Sequence, residues 1–383
     1  MGRAKNEVNL MEGSIAKGMF SFAIPMFLGQ LLQQLYNLAD AWVVGNFADN
    51  DAFAAVSSAG SLTFLIVGFF NGIGIGGGVV ISRYFGAGNK EYVERSVHTN
   101  VLFGLIASVL STIVGLLFVP QLLVWMKTPP SVLPESLTYF RIYFAGVATV
   151  ILYNICMSIM AALGDSMHPL YYLIFSSILN VVLDLLFVAV FRWGVGGAAI
   201  ATVIAQGLST LLCIFRMCKS TGYMHLDFRK LKWHKGIMGE VIRQGLPTGI
   251  QNSVISIGNM VVQTNINLFG SYAMSGYGAY AKIEGFVFLP ITSMSMTLPT
   301  FISQNLGARK YERAKKGALF GILSGVVMAE LFGLLFFAGA PYALRLFVDT
   351  PEAVAFGEIK AKTVTLFFFL LDFSHLAAGV LLG

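Results

Sequence analysis

The stretch VHTNVLFGLIASVLSTIVGLLFVP, residues 97–120, contains no Asp, Glu, Lys or Arg. A helix needs about 20 apolar residues to cross the roughly 30 Å hydrocarbon core of a bilayer, and this run is long enough. Working outward, nine more runs of the same kind follow, at about 19–45, 53–81, 137–163, 169–191, 195–215, 246–269, 276–302, 317–343 and 359–382. The composition agrees. Of 383 residues 56% are hydrophobic and 11% charged, against about 25% charged in an ordinary soluble domain. A soluble enzyme is excluded, and lipid is the solvent for most of the chain. The first apolar run is too long for the core of a signal peptide, so it reads as a retained membrane helix. The three cysteines, Cys156, Cys213 and Cys218, form no C-x-x-C pair and lie at no metal-ligand spacing, which sets aside zinc and redox chemistry.

Orientation follows from lysine and arginine, which accumulate in cytoplasmic loops. Eighteen fall on one side: Arg3, Lys5, Lys17, Arg83, Lys90, Arg95, Arg216, Lys219, Arg229, Lys230, Lys232, Lys235, Arg243, Arg309, Lys310, Arg313, Lys315 and Lys316. Six fall on the other, namely Lys127, Arg141, Arg192, Arg345, Lys360 and Lys362, with Lys282 inside a span. The N-terminus is therefore expected in the cytoplasm. The net charge of +6 reads as an orientation signal beside anionic lipid and calls for no nucleic-acid partner.

Two segments echo each other, ISRYFGAGNKEYVERS at 81–96 and ISQNLGARKYERAKKG at 302–317, with Gly86 matched to Gly307 at an offset of 221. Upstream, Pro25 matches Pro247 at an offset of 222. The repeat spans whole helices and its first unit holds six. An even number returns the chain to its starting side, so the second unit inserts in the same orientation as the first. The expected fold is an all-α polytopic membrane protein built from two parallel-oriented six-helix bundles. Residues 1–217 form the N-terminal lobe, 218–245 a basic interfacial linker, and 246–383 a partial C-terminal lobe. Residue 383 corresponds to residue 162 of the first repeat, so the second bundle is expected to be incomplete, with about ten helices present of twelve, as in a fragment of a longer product or, as the alternative, a natural short form.

An ionisable side chain at the centre of a membrane helix costs roughly 2.5–3.5 kcal/mol on insertion scales and therefore needs a partner or a purpose. Five carboxylates qualify: Asp40, Asp184, Glu284, Glu330 and Asp372. Asp40 and Asp184 fall near the outer ends of spans 1 and 5. Asn180, four residues before Asp184, shares its helix face, and Thr202 enters span 6 to a similar depth. Together these four residues make an oxygen-rich set suited to Na+ or a proton. The plainer alternative is that the two aspartates cap polar helix ends. Glu284, Glu330 and Asp372 are secondary candidates. Lys282 and Glu284, two apart, do not share a face, and Glu330 reads equally as a carboxylate held against a neighbouring helix. GIGIGGG at 72–78 lies inside a span with no preceding strand, so close helix packing explains it better than nucleotide binding. No G-x-x-x-x-G-K-[ST] occurs, and neither a cofactor nor an ATPase subunit is called for. The methionines and phenylalanines include candidates for lining an adaptable cavity for apolar cations.

LLQQLYNLADAWVVGNF at 31–47, VVISRYFGAGN at 79–89, NVVLDLLFVAVFRWGVGGAAIATVIAQ at 180–206 and KIEGFVFLPITSMSMTLPTFISQNLGA at 282–308 strongly resemble the multidrug and toxic compound extrusion (MATE) family. That resemblance implies twelve spans in two six-helix lobes, with two further helices beyond residue 383. It also implies export of mostly cationic amphipathic compounds in exchange for Na+ or H+. Within the family the chain is most similar to the DinF-like branch. There, an aspartate on helix 1, an asparagine and an aspartate one turn apart on helix 5, and a threonine on helix 6 handle the coupling cation. Asp40, Asn180, Asp184 and Thr202 match these positions. The NorM branch instead pairs an acid on helix 7 with an aspartate on helix 10. Asp372 resembles the latter, but span 7 has no acid.

The expected protein is thus a monomeric, cation-coupled multidrug antiporter of the cell membrane working by alternating access between its two bundles. It is not an enzyme. A flippase for lipid-linked saccharides is the nearest rival, although its cavity needs several basic groups and Lys282 is the single base expected to be buried. A truncated transporter that binds without transporting is another. An intramembrane hydrolase would want a Ser or His constellation beside the acids, yet four of the five histidines, His98, His168, His225 and His234, lie near cytoplasmic loops while His375 lies in span 10.

Overall fold

Every one of the ten apolar runs is helical in the computed structural model, which describes residues 8–47, 50–125, 128, 130, 132–348 and 350–383. Arg3, Lys5 and Lys127, used above for orientation, lie outside the described residues. In chain order the helices are α1 (Ile15–Phe47), α2 (Asn50–Gly86), α3 (Lys90–Trp125), α4 (Leu133–Ala145), α5 (Val147–Ala162), α6 (Met167–Asp184), α7 (Gly194–Lys219), α8 (Lys235–Asn267), α9 (Ser271–Val287), α10 (Leu289–Gly307), α11 (Tyr311–Leu344), α12 (Pro351–Val364) and α13 (Phe368–Leu382). Among the described residues six helices or continuous helical runs are long and apolar enough to cross a membrane, and two bent pairs qualify together. The chain is an all-helical, multi-span membrane protein.

Two of the expected spans are broken where the apolar pattern runs straight through. Span 4 divides into α4 and α5, bent by 48°, around Gly146, whose N–H donates to the carbonyls of Ile142 and Tyr143 at 3.1 Å. A Cβ at Gly146 would meet the Val203 methyls at 2.4 Å, so only glycine admits α7 this close. Span 8 divides into α9 and α10 with a 45° bend. Pro290, at the start of α10, has no N–H to continue the ladder. Span 5 ends in a π-helical stretch, Leu185–Val190. Span 10 joins α12 to α13 through a single tight turn, Thr365–Phe367.

The described residues group into two compact units. The first, Leu32–Ser253, has a core in which Ile81, Val97, Phe140, Phe144, Ile151, Ile159 and Val195 are fully or almost fully buried. Glycines of the 72–78 run let helices touch within it. A Cβ on Gly72 or Gly76 would lie 2.4 Å from the backbone N of Gly249 or Gly245 on α8, one on Gly77 1.8 Å from Asn100 Oδ1 on α3, and one on Gly78 2.4 Å from Ser158 Oγ on α5. The linker docks on the start of α3 through polar contacts. Lys230 Nζ pairs with Glu94 at 2.9 Å, and the Asp227 N–H donates to His98 Nε2 at 3.1 Å. Phe228 and Trp233 stay exposed, as an interfacial segment requires.

The second unit, Val8–Leu31 with Val254–Gly383, packs Tyr280, Phe336, Ala340, Leu344 and Ala361 into one cluster. Asn305 Nδ2 and the Arg313 guanidinium donate to the Leu10 carbonyl at 3.1–3.2 Å, tying the segment before α1 into this unit. In both units large apolar side chains such as Leu117, Val109, Leu335 and Val327 remain exposed. That is the expected state of a surface whose solvent is hydrocarbon.

Candidate functional site

All four residues read as cation ligands belong to the first unit. Asp40 sits on α1 one turn after Tyr36. Asp184 closes α6 one turn after Asn180, where the helix passes into the π-helical stretch. Such local widening of a helix recurs at functional positions. The i, i+4 spacing places Tyr36 with Asp40 and Asn180 with Asp184 on one face of each helix.

Asp40, Asn180 and Asp184 are buried, Asp184 completely. Asn180 and Thr202 line one recess together with Tyr36, Ser176, Ser177, Ala205 and Gln206, a cavity of about 10 Å³. A drug-sized ligand occupies a pocket of roughly 300–1,000 Å³, so this recess suits an ion or a water molecule. The two carboxylates lie within electrostatic reach of each other. Tyr36 and Tyr139 both lie within reach of the pair. Asp40 Oδ1, both oxygens of Asp184 and both amide atoms of Asn180 meet no hydrogen-bond partner among the described residues. Buried polar atoms are normally satisfied, and a carboxylate left unpaired out of water is costly. The Thr202 hydroxyl donates to the Ala198 carbonyl at 3.0 Å, which leaves its lone pairs for a cation.

Three polar neighbours were not anticipated from sequence. Tyr36 and Gln206 each stand four residues from an expected ligand, Asp40 and Thr202, so helical spacing carried a signal for both. Tyr139 arrives on α4, and nothing local announces it.

The secondary candidates separate. Glu330 Oε1 accepts the Phe369 N–H at 3.1 Å, capping α13 just past the tight turn, which gives this carboxylate a structural role. Glu284 accepts the Tyr280 hydroxyl at 2.6 Å. Lys282 turns from it and lies over the Phe347 ring at 5.7 Å, in line with two residues that share no helix face. Asp372 is fully buried on α13, and neither of its oxygens has a hydrogen-bond partner among the described residues. A buried cluster absent from the sequence reading joins Asp165 to His168 Nδ1 at 2.8 Å and to Arg216 Nη2 at 2.9 Å. This ties the turn before α6 to the end of α7.

Comparison with known proteins places this architecture. The chain resembles the probable multidrug resistance protein YpnP of Bacillus subtilis (strain 168), at 28% identity over 96% of this chain and 82% of that protein. It resembles the multidrug export protein MepA of Staphylococcus haemolyticus (strain JCSC1435) at 24% identity, over 97% and 82%. Its fold matches the crystal structure of a MATE in complex with MaL6, with a TM-score of 0.90 and 24% identity over 99% of this chain and 85% of that one. An outward-facing multidrug resistance MATE family transporter of the MOP superfamily matches with a TM-score of 0.91 and 23% identity over the same shares. The MatE family model matches residues 25–186 and 247–383. Matched across both halves of its repeat, the chain belongs to the MatE family of membrane transporters and is not an enzyme.

Proposed function

We propose that this chain is a multidrug exporter of the cell membrane, an antiporter of the DinF-like kind that exchanges cationic amphipathic compounds for H+ or Na+. The observation that carries the coupling site is the burial of Asp40, Asn180 and Asp184, the two carboxylates within electrostatic reach of each other, with Asp40 Oδ1, both Asp184 oxygens and both Asn180 amide atoms unpartnered among the described residues and the Thr202 hydroxyl sharing a recess with Asn180. A proton or a small cation satisfies those oxygens, and a drug does not fit the recess. The relatives named for multidrug resistance and multidrug export support the substrate class. The excess of lysine and arginine on one side supports a cytoplasmic N-terminus, and the repeat supports lobes divided at the 218–245 linker.

The mechanism is differential affinity. When the site opens outward and takes up a cation, its carboxylates are neutralised and no longer attract a positively charged substrate, which leaves. Once the cation is lost to the inside, the negative charge returns and substrate binds again. Asn180 and Thr202 supply neutral oxygens that hold the cation without adding charge. Asp40→Asn and Asp184→Asn remove the charge while keeping the shape. Each is expected to abolish gradient-driven ethidium efflux from cells while the protein still reaches the membrane in normal amount. Imposing a sodium or a proton gradient separately identifies the coupling ion. Efflux at the parental rate in either variant removes the site from the mechanism.

A further inference from the structure

Where the linker docks on α3, the first unit has a pocket of about 360 Å³ that the coupling site does not use. Glu91, Glu94, Arg95 and His98 line it from α3, and Lys230, Lys232 and His234 from the linker. Arg95 is the last charged residue before the charge-free run at 97–120, so the pocket lies at the level where hydrocarbon gives way to headgroups. Its charges do not cancel. Glu91 is ion-paired to Arg95, and Glu94 to Lys230 at 2.9 Å. His234 Nδ1 is hydrogen-bonded with Thr99 Oγ1 at 3.1 Å. Lys232 forms no ion pair among the described residues. Both carboxylates are therefore already engaged, and with neutral histidines the Lys232 ammonium is left over as one net positive charge. The linker residues on either side, Phe228 and Trp233, are large, apolar and exposed, although each adjoins a run of basic residues.

One surplus cation in a pocket at headgroup level, flanked by exposed aromatic side chains, complements a single anion that carries acyl chains. We propose that this pocket binds the headgroup of an anionic phospholipid, with the Lys232 ammonium on the phosphate and Phe228 and Trp233 against the apolar part of the lipid. The charge count selects among phosphates. A phosphodiester brings one negative charge, which Lys232 balances, whereas a phosphate monoester brings about 1.5–2 at pH 7 and has no acyl chain for the aromatic residues to meet. A zwitterionic lipid has the same phosphodiester but places a second ammonium beside Lys232, Lys230 and Arg95, where both carboxylates are taken. The volume accommodates a headgroup and leaves the chains in the bilayer. The site stands apart from Asp40 and Asp184, and its test reads binding rather than transport, so either assignment survives failure of the other.

The test is native mass spectrometry of the purified full chain in detergent, titrated with dioleoylphosphatidylglycerol and separately with dioleoylphosphatidylcholine. The wild-type chain is expected to hold phosphatidylglycerol several-fold more tightly. Lys232→Gln is expected to weaken that binding about fivefold, the worth of one charge at a membrane surface. Glu91→Gln, which releases Arg95 from its partner, is expected to strengthen it by a similar factor, a gain that misfolding does not produce. The repeat supplies the controls. Glu312 and Lys316 match Glu91 and Arg95 at the offset of 221 and do not line the pocket, so Glu312→Gln and Lys316→Gln are expected to bind as wild type does. Equal shifts in the pocket and control variants would reduce the effect to general surface charge and overturn the proposal, as would wild-type binding by Lys232→Gln. A second measurement needs no variant. Lys232 in lipid discs is treated with an amine-acylating reagent and read by peptide mass spectrometry, with Lys316 as the internal reference. Discs containing phosphatidylglycerol are expected to protect Lys232 several-fold relative to discs of phosphatidylcholine alone. Equal protection by millimolar inorganic phosphate in phosphatidylcholine discs would assign the pocket to a soluble anion and overturn the lipid.

Discussion

Gly72 and Gly239 are both helical glycines, and the structure treats them oppositely. A Cβ at Gly72 would collide with the backbone of α8, whereas one at Gly239 meets nothing within 4 Å. Backbone cannot give way as a side chain can, so Gly72→Ala is expected to cost about 1–3 kcal/mol through overpacking. Gly239→Ala is expected to be neutral or to gain about 0.5–1 kcal/mol from helix propensity. Thermal unfolding of the two variants in the same detergent checks the contrast, and equal midpoints would contradict the packing described. The GIGIGGG run was legible as a packing face, but which helix each glycine admits was not. The candidate ion site divides in the same way. Asp40, Asn180, Asp184 and Thr202 stand out in sequence because charge and polarity inside an apolar run are expensive. Tyr139 does not stand out, because an aromatic residue in a membrane helix is unremarkable until its neighbours are known.

At the scale of elements, the linker carries its own pH dependence. The Lys230 ammonium bonded to Glu94 holds that carboxyl below its ordinary 4.5. Burial, aided by the positive charge of Arg95, holds His234 below its ordinary 6.5. Both groups are lowered in the folded chain, so the unfolded or undocked state binds protons more readily. Their stabilisation is fully present above the ordinary values and is lost as pH falls through the lowered ones. The linker around the turn Phe228–Lys230 is therefore expected to loosen on acidification below about pH 6.5. Amide hydrogen exchange of the 227–234 segment against pH measures it. His234→Gln is expected to flatten the upper part of the profile and Glu94→Gln the lower part. A pH-independent exchange rate would show that neither group secures the linker. The bends in spans 4 and 8 and the tight turn within span 10 belong to this scale too. Hydropathy is blind to them because the residues at each place, Gly146, Phe288 and Thr365–Phe367, are as apolar or neutral as the helix around them. What fixes the tight turn is Glu330, supplied from α11.

Across the whole molecule the repeat is written into the backbone as well as the letters. The turn between α2 and α3 closes with Ala87 N–H to Arg83, Gly88 N–H to Phe85 and Asn89 N–H to Tyr84. The turn between α10 and α11 closes with Ala308 to Gln304, Arg309 to Leu306 and Lys310 to Asn305, the same bonds displaced by 221 residues. Gly88 and Arg309, matched by that offset, both take positive φ, 69° and 56°. Two like-oriented repeats are expected to put both turns on one side of the membrane, the side richer in lysine and arginine. In a Cys218→Ser background, Lys316→Cys is therefore expected to escape a membrane-impermeant maleimide in whole cells and Arg345→Cys to react. The reverse pattern would invert the topology. The sequence by itself determined the helical class, the ten runs, their repeat and the charged residues worth explaining, because the cost of polarity in lipid is paid locally and can be read residue by residue. The tertiary structure decided where spans bend, that Glu330 caps while Glu284 joins a tyrosine, and that Asp40 and Asp184 are buried within electrostatic reach of each other. Those outcomes depend on which helices touch, and small-residue contacts such as Gly72 on Gly249 and Gly276 on Gly357 settle that in three dimensions.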